Sequence, residues 1–168
     1  MELISNELNR KLNALVTHAF YLNRILDRDM SLLSVKFKML NSAKILHPKF
    51  AHAFPALADN ISDYQDSRGM LTVYGVTPLA DFDFENPIQM FVNIREEFVK
   101  YQDMVEDVID SAIAEKDHAT KIFLDGYLSK LVPFIASADN IVEVAIAYGN
   151  DTKSMQQFDD EIEHCLVV

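Results

Sequence analysis

The stretch VTPLADFDFENP, residues 76–87, separates two pairs of long helical segments and decides the fold. The helical segments on either side of it each run for about 25 to 30 residues, or roughly 40 Å at about 1.5 Å per residue. An extended chain of about 12 residues also reaches roughly 40 Å. The connection can therefore cross a whole bundle and return to the same end, which predicts four helices of which the second and third run parallel.

Apolar residues recur every three or four positions on both sides of this connection, which is the period of one helix face. Arg68 falls on the apolar face of the second helix, so we expect it to pair with a carboxylate. Pro55 does not suit a helix interior, and we expect it to break or kink the first turns of that helix. The predicted elements are helix one from Ser5 to between Phe37 and Asn41, a loop over residues 41–45, helix two from about His47, helix three from Pro87, helix four over residues 117–148 and a tail helix over residues 153–164.

The composition indicates a single domain, with the bundle over about residues 5–149 and a tail over residues 150–168. No apolar run reaches 18 residues, so we expect no membrane span. The single cysteine, Cys165, rules out an internal disulfide, and together with an N-terminus without an apolar signal segment it favours the cytoplasm. The net charge of −11 argues against nucleic-acid binding, because that function needs clustered Lys and Arg side chains.

Helix three carries a row of carboxylates on one face, away from its apolar stripe. Like charges three or four residues apart repel by about 0.2–0.5 kcal/mol per pair on an exposed helix. A hard cation or a mineral surface would relieve this repulsion, and a solvated helix face is the alternative interpretation. The members of this Asp103–Asp110 row are Asp103, Glu106, Asp107 and Asp110.

Helix two carries a second polar face, where His52 shares one side with three aspartates. A histidine with several aspartates is a plausible ligand set for a divalent first-row metal, and a surface stripe with an incidental histidine is the alternative. The aspartates of this Asp59–Asp66 row are Asp59, Asp63 and Asp66. Two Glu-x-x-His pairs, Glu115–His118 and Glu161–His164, lie at a helix junction and in the tail, and we interpret both as chance.

Three segments carry a family resemblance. LVPFIASADN, residues 131–140, resembles the fourth helix of the Dps (DNA protection during starvation) mini-ferritins. SVKFKMLNSAKILHPKF, residues 34–50, resembles their passage from helix one to helix two, and YQDSRG, residues 64–69, is similar to the end of helix two in ferritins. The resemblance covers most of residues 5–145. It implies an all-α, ferritin-like four-helix bundle with one long crossover between helices two and three.

In Dps proteins an iron-oxidising centre lies across a two-fold axis, with two histidines from one subunit and an Asp and a Glu from the other. The resemblance matches His47 to the second histidine, and Asp66 together with Asp63 or Ser62 to the carboxylates. The residues Val-Lys-Phe at positions 35–37 occupy the region of the first histidine. The first of the two histidines is therefore without a counterpart in the sequence.

The centre that ferritins build within one subunit is also without a counterpart. Helix one has no carboxylate between Glu7 and Asp27, and helix two has no Glu-x-x-His pair. A bundle without this centre either oxidises iron at a site outside the bundle centre or does not oxidise iron.

The leading hypothesis is an iron-binding and iron-storing homo-oligomeric shell of the Dps type, for which a dodecamer is one possible size. Iron would be its cofactor and cargo: Fe(II) would bind at His47, Asp63 and Asp66 between subunits and be oxidised by O2 or peroxide, and the Asp103–Asp110 row would nucleate the ferric mineral. The alternative is a non-catalytic ferritin-like structural or partner-binding assembly, which the missing histidine and carboxylates favour.

Overall fold

The structure is a computed structural model that describes residues 3–168. Over that range the chain is helical, and the all-α class and the four-helix bundle predicted from the sequence are confirmed. The long helices of the bundle are α1, α3, α4 and α5. The elements in chain order are α1 (Asn6–Ser31), a π-helical turn (Leu32–Lys36), α2 (Leu40–Leu46), a second π-helical turn (His47–Ala51), α3 (Ala53–Ser67), α4 (Pro87–Ala114), α5 (His118–Tyr148), α6 (Thr152–Glu161) and a 3-10 turn (Ile162–Cys165).

Contacts along α1 fix the directions of its two neighbours. Residues early in α1 meet residues late in α3 and in α4, so both of these helices run antiparallel to α1. They are therefore parallel to each other, as the long connection between them predicts. The contacting pairs are Asn13–Gln65 and Asn23–Ala51 towards α3, and Lys11–Asp107 and His18–Tyr101 towards α4.

The connection between α3 and α4 is longer than residues 76–87, since it spans residues 68–86. It departs early because Gln65, fully buried at the end of α3, binds Thr72 and holds the chain against α1. The crossover then follows α1 along its whole length. Its contacts with α1 and the π-helical turn after it are Leu71–Asn9, Val73–Asn13, Gly75–Thr17, Phe82–Arg28 and Asp83–Lys36.

Residues 41–45 form part of α2, where a loop was predicted. The prediction was wrong because the helix start is capped from far along the chain. The carboxylate of Asp159 in α6 accepts hydrogen bonds from the backbone N–H groups of Asn41 and Ser42, at 3.1 and 2.7 Å. These are the orphan donors of a helix N-terminus, and a carboxylate is a favourable partner for them.

The predicted disturbance at Pro55 is a π-helical turn immediately before α3, rather than a break. Proline cannot donate to the carbonyl four residues earlier, which here belongs to Ala51. The side chain of Asn23 supplies the missing donor, with Nδ2 2.9 Å from that carbonyl oxygen. The helix can therefore continue through Pro55 with its backbone satisfied.

Local caps set the ends of the remaining helices. Asn86 accepts from Gln89 N at 3.0 Å and starts α4 with Pro87 at its first position, as predicted. Asp117 caps α5 and also lies 3.4 Å from Arg68 Nη2, which is the carboxylate partner expected for that arginine. By length and composition α5 is apolar enough to cross a membrane, but the core helix of a bundle meets the same criterion.

Candidate functional site

The centre of the bundle is filled by phenyl rings. One ring comes from the second π-helical turn and one each from α3, α4 and α5, so that all four contribute to a single layer. The rings lie at centroid distances of 5.2–6.2 Å in tilted and edge-to-face arrangements, which aromatic pairs favour. This aromatic layer consists of Phe50, Phe54, Phe98 and Phe134.

A hydrogen-bonded tyrosine pair lies beside the aromatic layer. Tyr101 and Tyr127 are 0% and 1% exposed, and their hydroxyl oxygens are 2.6 Å apart. Tyr101 also donates to the carbonyl oxygen of Leu15 at 3.2 Å. Burial raises the pKa of both phenols well above the usual value. The two hydroxyls are therefore neutral at physiological pH and bind each other.

The bundle centre does not fit a di-iron centre. Such centres need a Glu from each of two helices and an inward-facing Glu-x-x-His pair from each of the other two. Phenyl rings and the tyrosine pair occupy the inward positions here, and over residues 3–168 no three His, Cys, Asp or Glu side chains converge on a metal-sized site. Glu115–His118 lies between α4 and α5 and Glu161–His164 at the end of α6, both outside the centre.

The Asp103–Asp110 row lies on the exposed face of α4, and all four of its side chains are exposed. Asp107 pairs with Lys11 at 2.8 Å, and Glu106 accepts from Gln102 at 2.8 Å. The row is therefore partly neutralised and partly open to solvent. The role predicted for it, the nucleation of a mineral, depends on assembly and stays a prediction.

Within one chain His47 lies apart from Asp63 and Asp66. Both aspartates are exposed on α3, and Asp63 is ten residues beyond Ala53 at the start of that helix, or about 15 Å along its axis. His47 instead lies 3.0 Å from Asp27 Oδ1 through its Nε2 atom. The site predicted from these three residues was an inter-subunit site, and it stays a prediction.

The sequence analysis missed two ionisable side chains on α1, of which Asp29 is buried and His18 is partly buried. Asp29 is fully buried and neither carboxyl oxygen has a hydrogen-bond partner, so burial raises its pKa to about 8. His18 lies 3.9 Å from Glu97, but burial, aided by the charge of Lys100, lowers the pKa of His18 to about 4. The imidazole is then neutral at pH 7, and its contact with Glu97 is not an ion pair.

A signal for Asp29 was present in the sequence. It stands seven residues after Leu22, and a spacing of seven returns to the same helix face. A charged residue at such a position on an apolar face indicates burial.

A polar network pins the start of the crossover. The Gln65 amide donates to Asn9 and Asn13 at 2.7 and 2.9 Å, while its oxygen accepts from Thr72 at 3.0 Å. Outside this network the segment presents its apolar side chains to solvent, with exposed fractions between 59% and 96%. The members of this crossover row are Leu71, Val73, Tyr74, Val76 and Leu79.

The fold therefore defines a four-helix bundle with a single long crossover, and across residues 3–168 no cluster of metal-ligating side chains lies in its core. The family model of the ferritin-like domain matches residues 51–145, more than half of the chain. This chain belongs to the ferritin-like domain family. The family predicted from the sequence is confirmed at this level, and the Dps type stays a prediction.

Solved ferritin structures share the fold. The open-pore ferritin of the archaeon Archaeoglobus fulgidus superposes with a TM-score of 0.89 at 21% identity, and 95% of this chain and 96% of that chain are covered. An engineered closed form of the same ferritin gives 0.88 at 21% identity, and a humanized archaeal ferritin gives 0.84 at 24% identity, both with the same coverage. No curated protein matches the chain in sequence.

Proposed function

We propose that this chain is the subunit of a closed homo-oligomeric shell that stores iron without oxidising it in the centre of its own bundle. One observation carries the proposal: phenyl rings occupy the bundle centre, while carboxylates stand in two exposed rows on α3 and α4. Carboxylate oxygens are hard ligands of the kind that a ferric mineral surface binds. Mineral storage on the inner wall of a shell needs exposed carboxylates of this kind, whereas iron oxidation in the bundle centre would need ligands that point inward.

Self-association is supported by the crossover row. Its five apolar side chains are exposed within one short segment, and Val76 is 96% exposed. Contiguous exposed apolar surface of this kind marks interaction sites. The hydrogen-bond network around Gln65 holds the segment in place before any partner arrives, which lowers the entropy cost of binding. The partner in the proposal is a second copy, paired through the same surface about a two-fold axis.

Assembly can be tested by charge substitution. Val76→Lys combined with Leu79→Lys should dissociate the shell to a smaller species in sedimentation velocity. Val132→Lys, at a position 57% exposed on α5, is the matched control and should leave the shell intact. An intact shell in the double variant would show that the crossover is not a subunit contact.

Iron storage is tested by aerobic loading with Fe(II), followed by size-exclusion chromatography with iron detection. The proposal expects iron to co-elute with a large species at many atoms per subunit. Replacing the Asp103–Asp110 row by the corresponding amides should reduce the iron retained, and the same replacement in the Asp59–Asp66 row identifies which row faces the mineral. A large species that carries no iron would contradict storage.

Oxidation, if it occurs, is assigned in this proposal to the inter-subunit ligands His47, Asp63 and Asp66. Asp63→Asn with Asp66→Asn should slow Fe(II) oxidation, followed by the absorbance of the ferric product. Unchanged kinetics would remove these residues from the proposed centre.

The second candidate function is a non-catalytic ferritin-like assembly with a structural or partner-binding role. The aromatic layer favours it, because a bundle that has lost its metal ligands is free to pack its centre with phenyl rings. An assembled shell without iron after loading would select this candidate. Nucleic acid is not an expected partner of either candidate, and a mobility shift at low salt would contradict that expectation.

A further inference from the structure

A groove runs between α1 and α4 on the surface of the bundle, and the crossover borders it on one side. Two cavities of about 610 and 560 Å³ open along it, a size typical of small-molecule sites. Four residues line both cavities, so the two adjoin: Arg10, Ala14, Lys100 and Met104. The first cavity also reaches Tyr21, which lies about 16 Å along α1 from Arg10. We call this depression the α1–α4 groove.

The surface of the groove is largely apolar. Tyr21 and Met104 are partly buried against the core, and both also line the groove. Val73 on the crossover is 60% exposed and lines the groove from the other side. An apolar chain laid over these side chains would remove their surfaces from water, which favours binding. The larger apolar residues of the groove are Leu15, Tyr21, Val73, Pro78, Met104 and Val108.

The charge of the groove differs from that of the whole chain. The chain has 26 acidic and 15 basic residues, yet the described residues that line the first cavity include Arg10 and Lys100 and no carboxylate. In the second cavity Lys11 joins these two cations, and it pairs with Asp107, one of the two carboxylates there, at 2.8 Å. Cationic side chains beside an apolar surface favour an anion that carries an apolar chain.

The two shared cations are available to a ligand. The side chain of Arg10 is 68% exposed and pairs with Glu7, one helical turn away, at 2.6 Å. The side chain of Lys100 is 57% exposed, and its Nζ atom lies 3.7 Å from Glu97. Exposed ion pairs of this kind contribute little to stability, so a ligand carboxylate can replace either glutamate. Burial, aided by the charge of Lys100, lowers the pKa of His18 to about 4, so this imidazole lines the first cavity without adding charge at pH 7.

We propose that the α1–α4 groove binds one medium-chain fatty acid per chain. The carboxylate pairs with Arg10 and Lys100, the cations common to both cavities, and the hydrocarbon chain lies against Tyr21 and Met104. The site goes beyond the proposed storage function, because binding needs neither iron nor the carboxylate rows. Within the crossover row Val73 alone lines the groove, so binding does not depend on the proposed subunit contact.

The test is a calorimetric titration of the iron-free full-length protein with decanoate, below its micelle concentration and at neutral pH. Wild-type protein should bind one decanoate per chain. Arg10→Gln and Lys100→Gln should each weaken binding at least fivefold. Lys153→Gln, which changes an exposed lysine on α6, is the matched control and should bind as the wild type does. Ala14 is exposed in the groove, so Ala14→Phe should fill the groove and abolish binding.

Two further ligands separate the roles of the carboxylate and the hydrocarbon chain. Butyrate has too short a chain, and decyltrimethylammonium has the opposite charge, so each should bind at least tenfold more weakly than decanoate. The position of the ligand is read from NMR of methyl-labelled protein. Decanoate should shift the methyl signal of Met104, which lines the groove, and leave that of Met30, buried in α1, unchanged.

Three results would overturn the proposal. The first is Ala14→Phe protein that binds decanoate as tightly as the wild type, and the second is equal affinity for decanoate and decyltrimethylammonium. The third is wild-type protein that shows neither binding heat nor a shift of the Met104 signal. Ala14→Leu serves as a second variant if Ala14→Phe fails to fold, as judged by circular dichroism. Failure here is distinguishable from failure of storage, because decanoate binding is measured without iron and iron retention without decanoate.

Discussion

Tyr101 on α4 and Tyr127 on α5 join their hydroxyl groups across the bundle centre, with the two oxygens 2.6 Å apart. Because the Leu15 carbonyl can only accept, Tyr101 donates to it and accepts from Tyr127. The pair therefore forms a short directed chain of hydrogen bonds from α5 through α4 to α1. This chain of hydrogen bonds links three helices of the bundle.

Because the hydrogen bonds run in one direction, removing the hydroxyl group of Tyr101 and removing that of Tyr127 should have different effects on stability. Tyr127→Phe leaves Tyr101 bound to Leu15 and should lower the free energy of unfolding by about 1 kcal/mol. Tyr101→Phe leaves the buried Tyr127 hydroxyl without its partner and should cost more, about 1–3 kcal/mol. Urea unfolding measures both, with Tyr74→Phe as the control, because it removes only an exposed hydroxyl contact with Ser62 and should cost less than either variant. Equal losses for the two variants would contradict the assigned direction.

Asp29 should make the protein less stable as the pH rises. Its pKa is raised from 3.8 to about 8, mainly by burial, so the folded chain holds a proton that the unfolded chain has released. The stabilising contribution is complete below pH 3.8 and is lost as the pH rises through 8. The penalty at pH 7 is on the order of 4 kcal/mol relative to acid pH.

Asp29→Asn removes this titration and should raise the melting temperature more at pH 8 than at pH 4. Asp81→Asn, which changes an exposed carboxylate on the crossover, is the control and should shift neither value. His18 titrates in the opposite sense, since its pKa is lowered to about 4 and stability is lost as the pH falls from 6.5 to 4. His18 is present in both the Asp29→Asn variant and the wild type, so its contribution cancels in the difference between their melting temperatures. A gain independent of pH would contradict the assignment to Asp29.

Gly75 allows the crossover to touch α1. A Cβ atom at this position would lie 2.7 Å from Thr17 Oγ1, which also accepts the Gly75 N–H bond at 3.0 Å. Gly75→Ala should therefore displace the crossover, weaken assembly and lower the melting temperature by several degrees. Gly126→Ala is the matched substitution, because nothing lies within 4 Å of a Cβ there. Alanine inside a helix should stabilise by about 1 kcal/mol.

Asp159 should matter more to stability than its neighbour Asp160. It is 4% exposed and caps two backbone N–H groups of α2, whereas Asp160 binds only the exposed side chain of Asn41 at 2.9 Å. Asp159→Ala should cost about 1–2 kcal/mol and increase hydrogen exchange in α2. Asp160→Ala should change the free energy of unfolding by less than about 0.5 kcal/mol. Equal effects would show that the cap is not what holds α2.

The sequence predicts those features of the fold that depend on local pattern. Apolar periodicity, together with caps such as Ser5 and Asn86, locates the long helices, and the length of the connection predicts the parallel pair. Helix α2 and the early start of the crossover were missed because their partners, Asp159 and α1, are distant in the sequence. Periodicity carries no information about such partners.

For the candidate sites too, the sequence predicts what depends on local pattern and misses what depends on distant partners. Spacing correctly puts the Asp103–Asp110 row on one exposed helix face. The sequence does not predict that the rings of His47 and His52 lie side by side. In an α-helix residues five apart point in different directions, and only the π-helical turn brings these two rings together. The partner of His47 within the chain, Asp27, is on another helix, and no local pattern joins them.

The cap on α2 has a consequence for how the chain is made. Asn41 and Ser42 are synthesised more than a hundred residues before Asp159. During that interval the start of α2 has no carboxylate to receive its N–H groups, and a seven-residue helix is too short to persist alone. The corner between the first two long helices is therefore completed only after translation has reached α6.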